Sequence, residues 1–293
     1  MTYLYQFCDS FSFLILSAMG LSIIFGMMGI INLAHGEFIM LGAYITTFFA
    51  VRNVPLPISV ALGAVGTGVF GFIMDRLIIS RLYSRPLDSV VATWGISLVM
   101  CQGMRVLFGS SIVGTSTPLG SFTVNGGKFS VYRMVLAAIS LVLVAAVYFI
   151  FMHTKIGLYA RATMQNCAIA SSLGVNSNRM YALTFAFGSA LAGLCGGLYA
   201  PTVSITPDMG SNFMMESFVT VIVGGTNPLV GTVISGGVLG LVRSFLEIGF
   251  GTFVGRVGLL IVAIIFIRLV PKGFSGLVEN IRKRIEVKKN EKI

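Results

Sequence analysis

The sequence predicts an all-α integral membrane protein, a polytopic bundle of about eight transmembrane helices, give or take one. Of its 293 residues, 56% are hydrophobic and only 10% are charged, whereas an average soluble domain carries about 25% charged residues. A soluble domain of this length would need a charged surface that this chain cannot supply. The apolar runs are long and unbroken, which favours helices over the short alternating segments of a membrane β-barrel.

The hydropathy pattern predicts a single transmembrane domain that covers residues 1–293. A helix needs about 20 apolar residues to cross the hydrocarbon core, and the apolar runs are 11–31, 38–51, 56–74, 89–108, 133–152, 181–203, 217–241 and 253–270. The run 217–241 is interrupted by the GGTNP segment at 224–228. Irregular backbone at membrane depth is tolerated only where it is buried in protein or lines a cavity. We therefore expect an extra crossing or a re-entrant turn at this Gly/Pro-broken segment.

The distribution of basic residues predicts the orientation. Of twenty Lys and Arg, eight lie from Arg268 onward, and others cluster in 75–88 and 152–179. Cytoplasmic loops carry such an excess, so we expect a basic cytoplasmic tail at 277–293, a cytoplasmic loop at 153–180 and an external N-terminus. Membrane lipid is a sufficient partner for the tail, and no nucleic acid is expected.

Small residues recur at four-residue spacing in several spans. In lipid, such stripes allow close helix packing, and examples are Gly63, Thr67 and Gly71. A weak resemblance between 61–78 and 233–246 hints at an internal repeat, as many transporters have.

A short polar insertion between two apolar runs contains Asn32, His35 and Glu37. An intramembrane ionisable group is a functional hypothesis by default, and Glu37 is the only such carboxylate expected in the first half of the chain. The alternative is that the insertion lies at the cytoplasmic interface, where Glu37 would offset the dipole of the following helix. Further candidates for a translocation pathway or gate are Thr93, Trp94, Thr226 and Asn227, with Trp94 equally plausible as an interfacial anchor. Arg105 is expected to reach the external interface by snorkelling.

The loop segment 161–174 can form one short amphipathic helix that ends at Gly174. It is either a structural surface helix or a docking helix for a partner protein. Enzyme chemistry has little support, because the sequence has no Walker A, Gly-x-Ser-x-Gly or His-Glu-x-x-His motif. With two histidines and four dispersed cysteines, neither a metal site nor another cofactor is expected.

Three segments in order resemble one family. They are IIFGMMGIINLAHGEFIMLGAY near the start, RATMQNCAIASSLGVNSNRMYALTFAFGSALAG in the middle, and VGGTNPLVGTVISGG with VPKGFSG near the end. They are similar to permease subunits of the branched-chain amino acid ABC importers, from about Gly20 to Gly276. The resemblance implies a non-catalytic, multi-pass subunit of the bacterial inner membrane.

The resemblance also implies partners and a coupling site. The partners are a homologous second permease, two cytoplasmic ATPases and a periplasmic or lipid-anchored substrate-binding protein. The loop resembles the family's coupling helix, which docks on the ATPase; the residues concerned are Arg161, Gln165, Asn166, Ala170, Leu173 and Gly174.

Details of the resemblance favour the urea-type branch of this family. ATWGISL around Trp94, RATMQNCAIA at 161–170 and TPDMG at 206–210 look more like urea permeases, although the segment at 224–231 departs from the usual Gly-rich form. Because few charged groups are expected within the membrane, we predict a small neutral amide such as urea as substrate, with a branched-chain amino acid as the alternative. Competing classes are a secondary transporter or channel and an intramembrane enzyme.

Overall fold

The computed structural model describes residues 2–83, 85–124, 127–225, 228–271 and 273–276. Helices dominate these residues. In chain order the elements are α1 (Thr2–Met28), α2 (His35–Ala50), α3 (Leu56–Leu77) with a 3₁₀ turn (Ile79–Arg81), α4 (Pro86–Phe108), β1 (Ser121–Val124), β2 (Gly127–Ser130), α5 (Val131–His153), α6 (Lys155–Gln165), α7 (Cys167–Ser172), α8 (Ser177–Tyr199), α9 (Met209–Gly224), α10 (Pro228–Phe250) and α11 (Thr252–Leu269).

Seven helices of the described residues are long and apolar enough to cross a membrane: α1, α3, α4, α5, α8, α10 and α11. Two shorter apolar helices, α2 and α9, have 16 residues each. At 1.5 Å per residue each is about 24 Å long, less than the roughly 30 Å hydrocarbon core. This architecture confirms the predicted polytopic all-α class.

The interrupted run near 224–228 separates two helices that run in opposite directions. Ser235 of α10 donates to the carbonyl of Thr220 on α9 at 2.6 Å. Arg243, which follows Ser235 in α10, pairs with Glu216, which precedes Thr220 in α9, so the two helices are antiparallel. Helix α9 begins at Met209, earlier than the predicted apolar run. The break therefore turns the chain back. The predicted pathway residues Thr226 and Asn227, and the basic tail at 277–293, lie outside the described residues.

Helices α1–α4 and α8–α11 repeat one pattern: a long helix, a 16-residue helix and two further long helices. The packing repeats as well, because α3 packs along α8 and α10 packs along α1. The weak similarity predicted from sequence falls at matching places, since Ala61 and Val233 are each the sixth residue of their helix, α3 and α10. The units enter the bundle from opposite ends, which makes them an inverted repeat of the kind found in transporters.

Close backbone approach holds the two units together. Gly36 and Gly210, each the second residue of its short helix, face one another. A Cβ on Gly210 would lie 2.8 Å from the carbonyl oxygen of Gly36. This contact is too short for any side chain, so the position requires glycine. The α3–α8 contact uses small residues in the same way: a Cβ on Gly68 would lie 3.0 Å from that of Ala190. These contacts agree with the predicted packing stripes.

The two ends of the bundle differ. At the hairpin end, the antiparallel β1–β2 hairpin lies against the start of α1, where the Tyr5 hydroxyl accepts from the Ser130 N–H at 3.1 Å. At the coupling end, α6 and α7 lie between α5 and α8, and the hydroxyls of Ser171 and Ser177 are 2.8 Å apart.

The predicted single helix over 161–174 is wrong in detail, because two helices meet at Asn166. Its backbone is extended, and its side chain accepts from the N–H of Ile169 at 3.1 Å, which caps α7. Gly174 has φ +89°, the left-handed conformation expected of a residue that follows a helix end.

Candidate functional site

The polar insertion lies inside the bundle. Asn32 and His35 are both 0% exposed. The side-chain oxygen Oδ1 of Asn32 accepts from the Ala34 N–H at 3.0 Å, and His35 Nε2 lies 3.0 Å from the backbone carbonyl oxygen of Ser17 on α1. Within the described residues, Asn32 Nδ2 and His35 Nδ1 have no hydrogen-bond partner. The insertion thus fixes where α2 begins, at a depth where polar groups are costly.

Glu37 joins three helices. It is the third residue of α2 and 5% exposed. One oxygen accepts from the Ser97 hydroxyl of α4 at 3.1 Å. The other lies beside Gly210 at the start of α9 and has no hydrogen-bond partner in the described part of the chain. A carboxylate with a free acceptor oxygen at the meeting point of two short helices can receive a hydrogen bond from a polar or cationic ligand.

A polar stripe runs along α4, and we call it the α4 stripe; its members at every fourth residue are Thr93, Ser97, Cys101 and Arg105. Residues four apart share one helix face. The stripe spans about 18 Å at 1.5 Å per residue, from the middle of the bundle toward the hairpin end.

Each member of the α4 stripe contacts another polar group. Thr93 Oγ1 accepts from the Leu33 N–H at 3.1 Å. Arg105 donates to both carboxylate oxygens of Asp208 at 2.7 Å, and Cys101 Sγ lies 3.5 Å from the same carboxylate. Arg105 thus has a bidentate partner in the segment before α9, and its snorkelling to the external interface stays a prediction.

Exposure along the stripe increases toward the hairpin end. Thr93 is buried, Ser97 is half-buried and Arg105 is exposed. The predicted candidate Trp94 points the other way, with 56% of its side chain exposed. The structure thus brings together Asn32, His35, Glu37 and Thr93, and leaves Trp94 on the surface of α4.

A second group of charges was missed by the sequence analysis. We call it the hairpin-end cluster; its members are Asp9, Arg133, Glu216, Arg243, Glu247 and Arg256. Asp75 on α3 is also fully buried and accepts from the Tyr83 hydroxyl at 2.7 Å. The expectation that Glu37 is the only intramembrane carboxylate of the first half is therefore wrong. A signal was present, since Arg243 and Glu247 stand four residues apart directly after the apolar run 217–241.

The predicted coupling residues take different positions around α6 and α7. Gln165, Asn166, Leu173 and Gly174 are exposed. Ala170 is 2% exposed and faces the bundle, and Arg161 donates to the carbonyl of Phe151 at the end of α5. Ile169, which the sequence analysis did not select, is 58% exposed and Leu173 is 79% exposed. The two form an apolar patch on α7 at the coupling end.

Comparison with known proteins agrees with this architecture. Residues 3–270 match the model of a family described as "Branched-chain amino acid transport system / permease component". The chain belongs to this family. It is a permease component of the inner membrane with several membrane spans, as the resemblance predicted.

Individual relatives are similar over most of their length. The high-affinity branched-chain amino acid transport system permease protein BraD of Pseudomonas aeruginosa is 27% identical, over 89% of this chain and 91% of BraD. LivH of Escherichia coli K12 is 25% identical, over 89% and 90% of the two chains. The probable LivH of Methanocaldococcus jannaschii is 26% identical, over 90% and 89%. No solved structure matches the chain. All three names describe branched-chain amino acid transport by those proteins.

Proposed function

We propose that this chain is one of two membrane subunits of an ABC importer, and that branched-chain aliphatic amino acids pass along its α4 stripe. The observation that carries the proposal is the contrast within α4. This helix is the least covered of the seven candidate spans, with 11% of its most apolar window buried, yet its buried positions include Ser89 and Thr93. If α4 faced only lipid, its polar side chains would not be buried against other helices. The buried hydroxyls therefore indicate that one face of α4 lines a polar site.

The apolar surface of α4 supports a second permease subunit as the neighbour. Large side chains flank the stripe, among them Trp94 at 56%, Val99 at 73% and Val106 at 85% exposure. Helices associate in lipid through packing and polar contacts. A homologous subunit placed against α4 would enclose the stripe between two chains and separate it from lipid.

The two ends of the bundle suit the other partners. The apolar patch of Ile169 and Leu173 at the coupling end is the docking surface for a cytoplasmic ATPase. The hairpin end receives substrate from a binding protein. No ATP-binding motif occurs in the sequence, so hydrolysis takes place on the ATPase subunits, and this chain is not catalytic.

Charge favours an amino acid over urea. The preference for urea rested mainly on details of the resemblance, and in smaller part on a membrane-embedded region with few charged groups. The α4 stripe, however, contacts the Glu37 carboxylate through Ser97 and ends at the Arg105–Asp208 pair. An amino acid carries an ammonium and a carboxylate, and both need partners away from water. Glu37 can accept from the ammonium and Arg105 can donate to the carboxylate.

Reconstitution of the complete complex in proteoliposomes tests the substrate. We expect leucine, isoleucine and valine, each loaded on the binding protein, to stimulate ATP hydrolysis and to accumulate in the vesicles. Urea at the same concentration serves as the comparison. Stimulation by urea alone would contradict the amino-acid assignment and restore the urea alternative.

The role of Glu37 is tested by Glu37→Gln. The amide keeps the size of the side chain but removes the charge that pairs with an ammonium, a loss of about 1.5–3 kcal/mol for a charged hydrogen bond. We expect transport to fall by roughly tenfold or more, with normal assembly of the complex. The control is Asp88→Asn, which changes an exposed carboxylate near the start of α4, away from the stripe. Equal transport by both variants would place the route elsewhere.

A further inference from the structure

A cavity of about 450 Å³ lies at the hairpin end, between the first turns of α1 and the facing ends of α5, α8, α10 and α11. Its lining includes five members of the hairpin-end cluster, and none of its lining residues belongs to α2 or α4. It is therefore distinct from the α4 stripe. The aromatic rings of Phe13 and Phe213, with centroids 4.8 Å apart, pack at its inner side.

The charged groups around this cavity balance in sign. Asp9 pairs with Arg133 at 2.7 Å, and Glu247 pairs with Arg243 at 2.7 Å. The third pair joins Arg256 and Glu216 at 3.3 Å. Three cations and three anions leave no net charge. A simple cation or anion would add an unbalanced charge here, whereas a zwitterion would not.

The pairs leave donors and acceptors available. Arg256 is 48% exposed and Arg133 is 40% exposed, each with a single acidic partner. A guanidinium has five N–H donors, so one carboxylate does not saturate it. Asp9 uses one oxygen for Arg133. The cavity thus offers both guanidinium donors and a carboxylate oxygen.

Ser10 supplies an independent observation. Its side chain is 2% exposed and lines the cavity, and its hydroxyl has no hydrogen-bond partner among the described residues. A buried hydroxyl without a partner costs about 1–3 kcal/mol. Its neighbour Ser12, by contrast, lies 3.2 Å from the Tyr199 hydroxyl. A ligand oxygen in the cavity would remove this cost.

The remaining lining is apolar. Phe13, Val203 and Phe253 contribute hydrocarbon surface beside the charged groups. The volume of about 450 Å³ falls within the range of small-molecule pockets, about 300–1,000 Å³. A ligand with two opposite charges and a short aliphatic side chain would meet charged groups for its charges and hydrocarbon surface for its side chain.

We propose that this cavity is a binding site for an α-amino acid zwitterion with an apolar side chain, separate from the α4 stripe. Arg133 and Arg256 donate to the ligand carboxylate, Asp9 accepts from its ammonium, and Ser10 completes the contacts. The aliphatic side chain packs against Phe13 and Phe253. This inference rests on the proposed function only in the choice of leucine as the first probe.

Equilibrium binding of radiolabelled leucine to the assembled complex, held in nanodiscs without ATP or binding protein, tests the site. We expect saturable binding that 4-methylpentanoate, which lacks the ammonium, and 3-methylbutylamine, which lacks the carboxylate, displace at least about tenfold more weakly than leucine. A loss of about 1.4 kcal/mol for one charged contact corresponds to that factor. Equal displacement by either analogue would overturn a zwitterion site.

Two variants locate the binding and leave the Asp9–Arg133 and Glu247–Arg243 pairs in place. Ser10→Ala removes the hydroxyl that lacks a partner, and Arg256→Gln removes the most exposed cation of the cluster. We expect each to weaken leucine binding by about threefold to tenfold. Arg52→Gln, at an exposed arginine on the same end of the bundle, is the matched control and leaves binding unchanged.

The result separates this inference from the proposed function. Binding that survives Ser10→Ala and Arg256→Gln but disappears in Glu37→Gln would assign leucine to the α4 stripe and overturn the cavity site. Absence of any leucine binding would also overturn it. Binding at the cavity in a complex that transports only urea would support the site and contradict the proposed substrate.

Discussion

At the scale of single residues, Gly36 and Gly210 determine how closely the two short helices approach. A Cβ on Gly36 would overlap the backbone carbonyl of Gly210, and a backbone atom cannot move aside as a flexible side chain can. Because these glycines begin α2 and α9, their contact also sets the position of Glu37. The sequence identified small-residue stripes, but this particular pair depends on residues 174 positions apart, which hydropathy cannot connect.

Gly36→Ala should destabilise the protein. We expect a loss of about 1–3 kcal/mol from overpacking, visible as a lower unfolding temperature of the purified protein. Gly249→Ala is the control, because the space around Gly249 is open and alanine favours a helix by up to about 1 kcal/mol. Equal stability of the two variants would show that α2 and α9 can separate without loss.

The hairpin-end cluster was beyond sequence analysis for the same reason. Arg133 and Asp9 are 124 positions apart, and Arg243 reaches Glu216 across 27 positions as well as Glu247 at four. The sequence shows Arg243 four residues before Glu247, but it does not show the contact of Arg243 with Glu216. Only the folded bundle shows that its charge is compensated.

Arg243→Gln should be more damaging than loss of an exposed ion pair. It leaves Glu216 and Glu247 buried without their main cation, a change that costs about 3–5 kcal/mol in comparable sites. The exposed pair of Arg85 and Asp88, 3.7 Å apart, is worth at most about 1 kcal/mol. The unfolding temperature of Arg243→Gln should therefore lie clearly below that of Arg85→Gln. Similar unfolding temperatures of the two variants would contradict a buried cluster.

At the scale of elements, the long helices could be predicted and the short ones only in part. Apolar runs of about 20 residues identify spans because lipid forces each backbone to bond internally. Helix α9 begins with polar residues around Ser211 and Asn212 and contains Glu216, so hydropathy placed its start too late. Asn166 divides the coupling loop because its capping bond competes with helix continuation, a local choice that amphipathic spacing does not show.

The apolar patch on α7 carries an element-level prediction. Replacing Ile169 and Leu173 together by serine should leave the fold intact, because both side chains are exposed, while weakening the contact with the ATPase. We expect ATP hydrolysis to continue and leucine uptake to fall by roughly tenfold or more, consistent with loss of two interface anchors. Leu158→Ser, at an exposed leucine of the neighbouring α6, is the control. Uptake at the wild-type rate in the double variant would place coupling outside α7.

At the scale of the whole molecule, the inverted repeat explains features that no single helix does. In the α1–α4 and α8–α11 units, the third helix of each unit packs along the first helix of the other: α3 along α8, and α10 along α1. The short helices α2 and α9 meet where the units join, as in transporters whose sites lie between repeats. Sequence similarity between the units was weak, because the shared property is helix length and glycine position. The fold class was predictable from composition, whereas of the site only the α2 portion and Thr93 of α4 were predicted.

The number of helices predicts the orientation. If each of α1–α5 and α8–α11 makes one passage between the two ends of the bundle, the short α2 and α9 together with their flanking segments, the described residues make nine passages. An odd number places the start of α1 at the hairpin end and the end of α11 at the coupling end. The basic residues of 152–179 lie at the coupling end, so by the positive-inside rule we predict that this end is cytoplasmic.

Cysteine labelling in intact cells tests this orientation. In a chain whose four native cysteines are replaced by serine or alanine, we expect an impermeant maleimide to label Ser116→Cys, an exposed position beside the hairpin. Ser172→Cys on α7 and Lys289→Cys in the tail should react only after the membrane is permeabilised. The contrast follows from the passage count and the basic loop together, since either alone would allow the reverse orientation. Labelling of Ser172→Cys or Lys289→Cys in intact cells as readily as Ser116→Cys would require an even number of passages or an inverted bundle, and would move the ATPase docking surface away from α7.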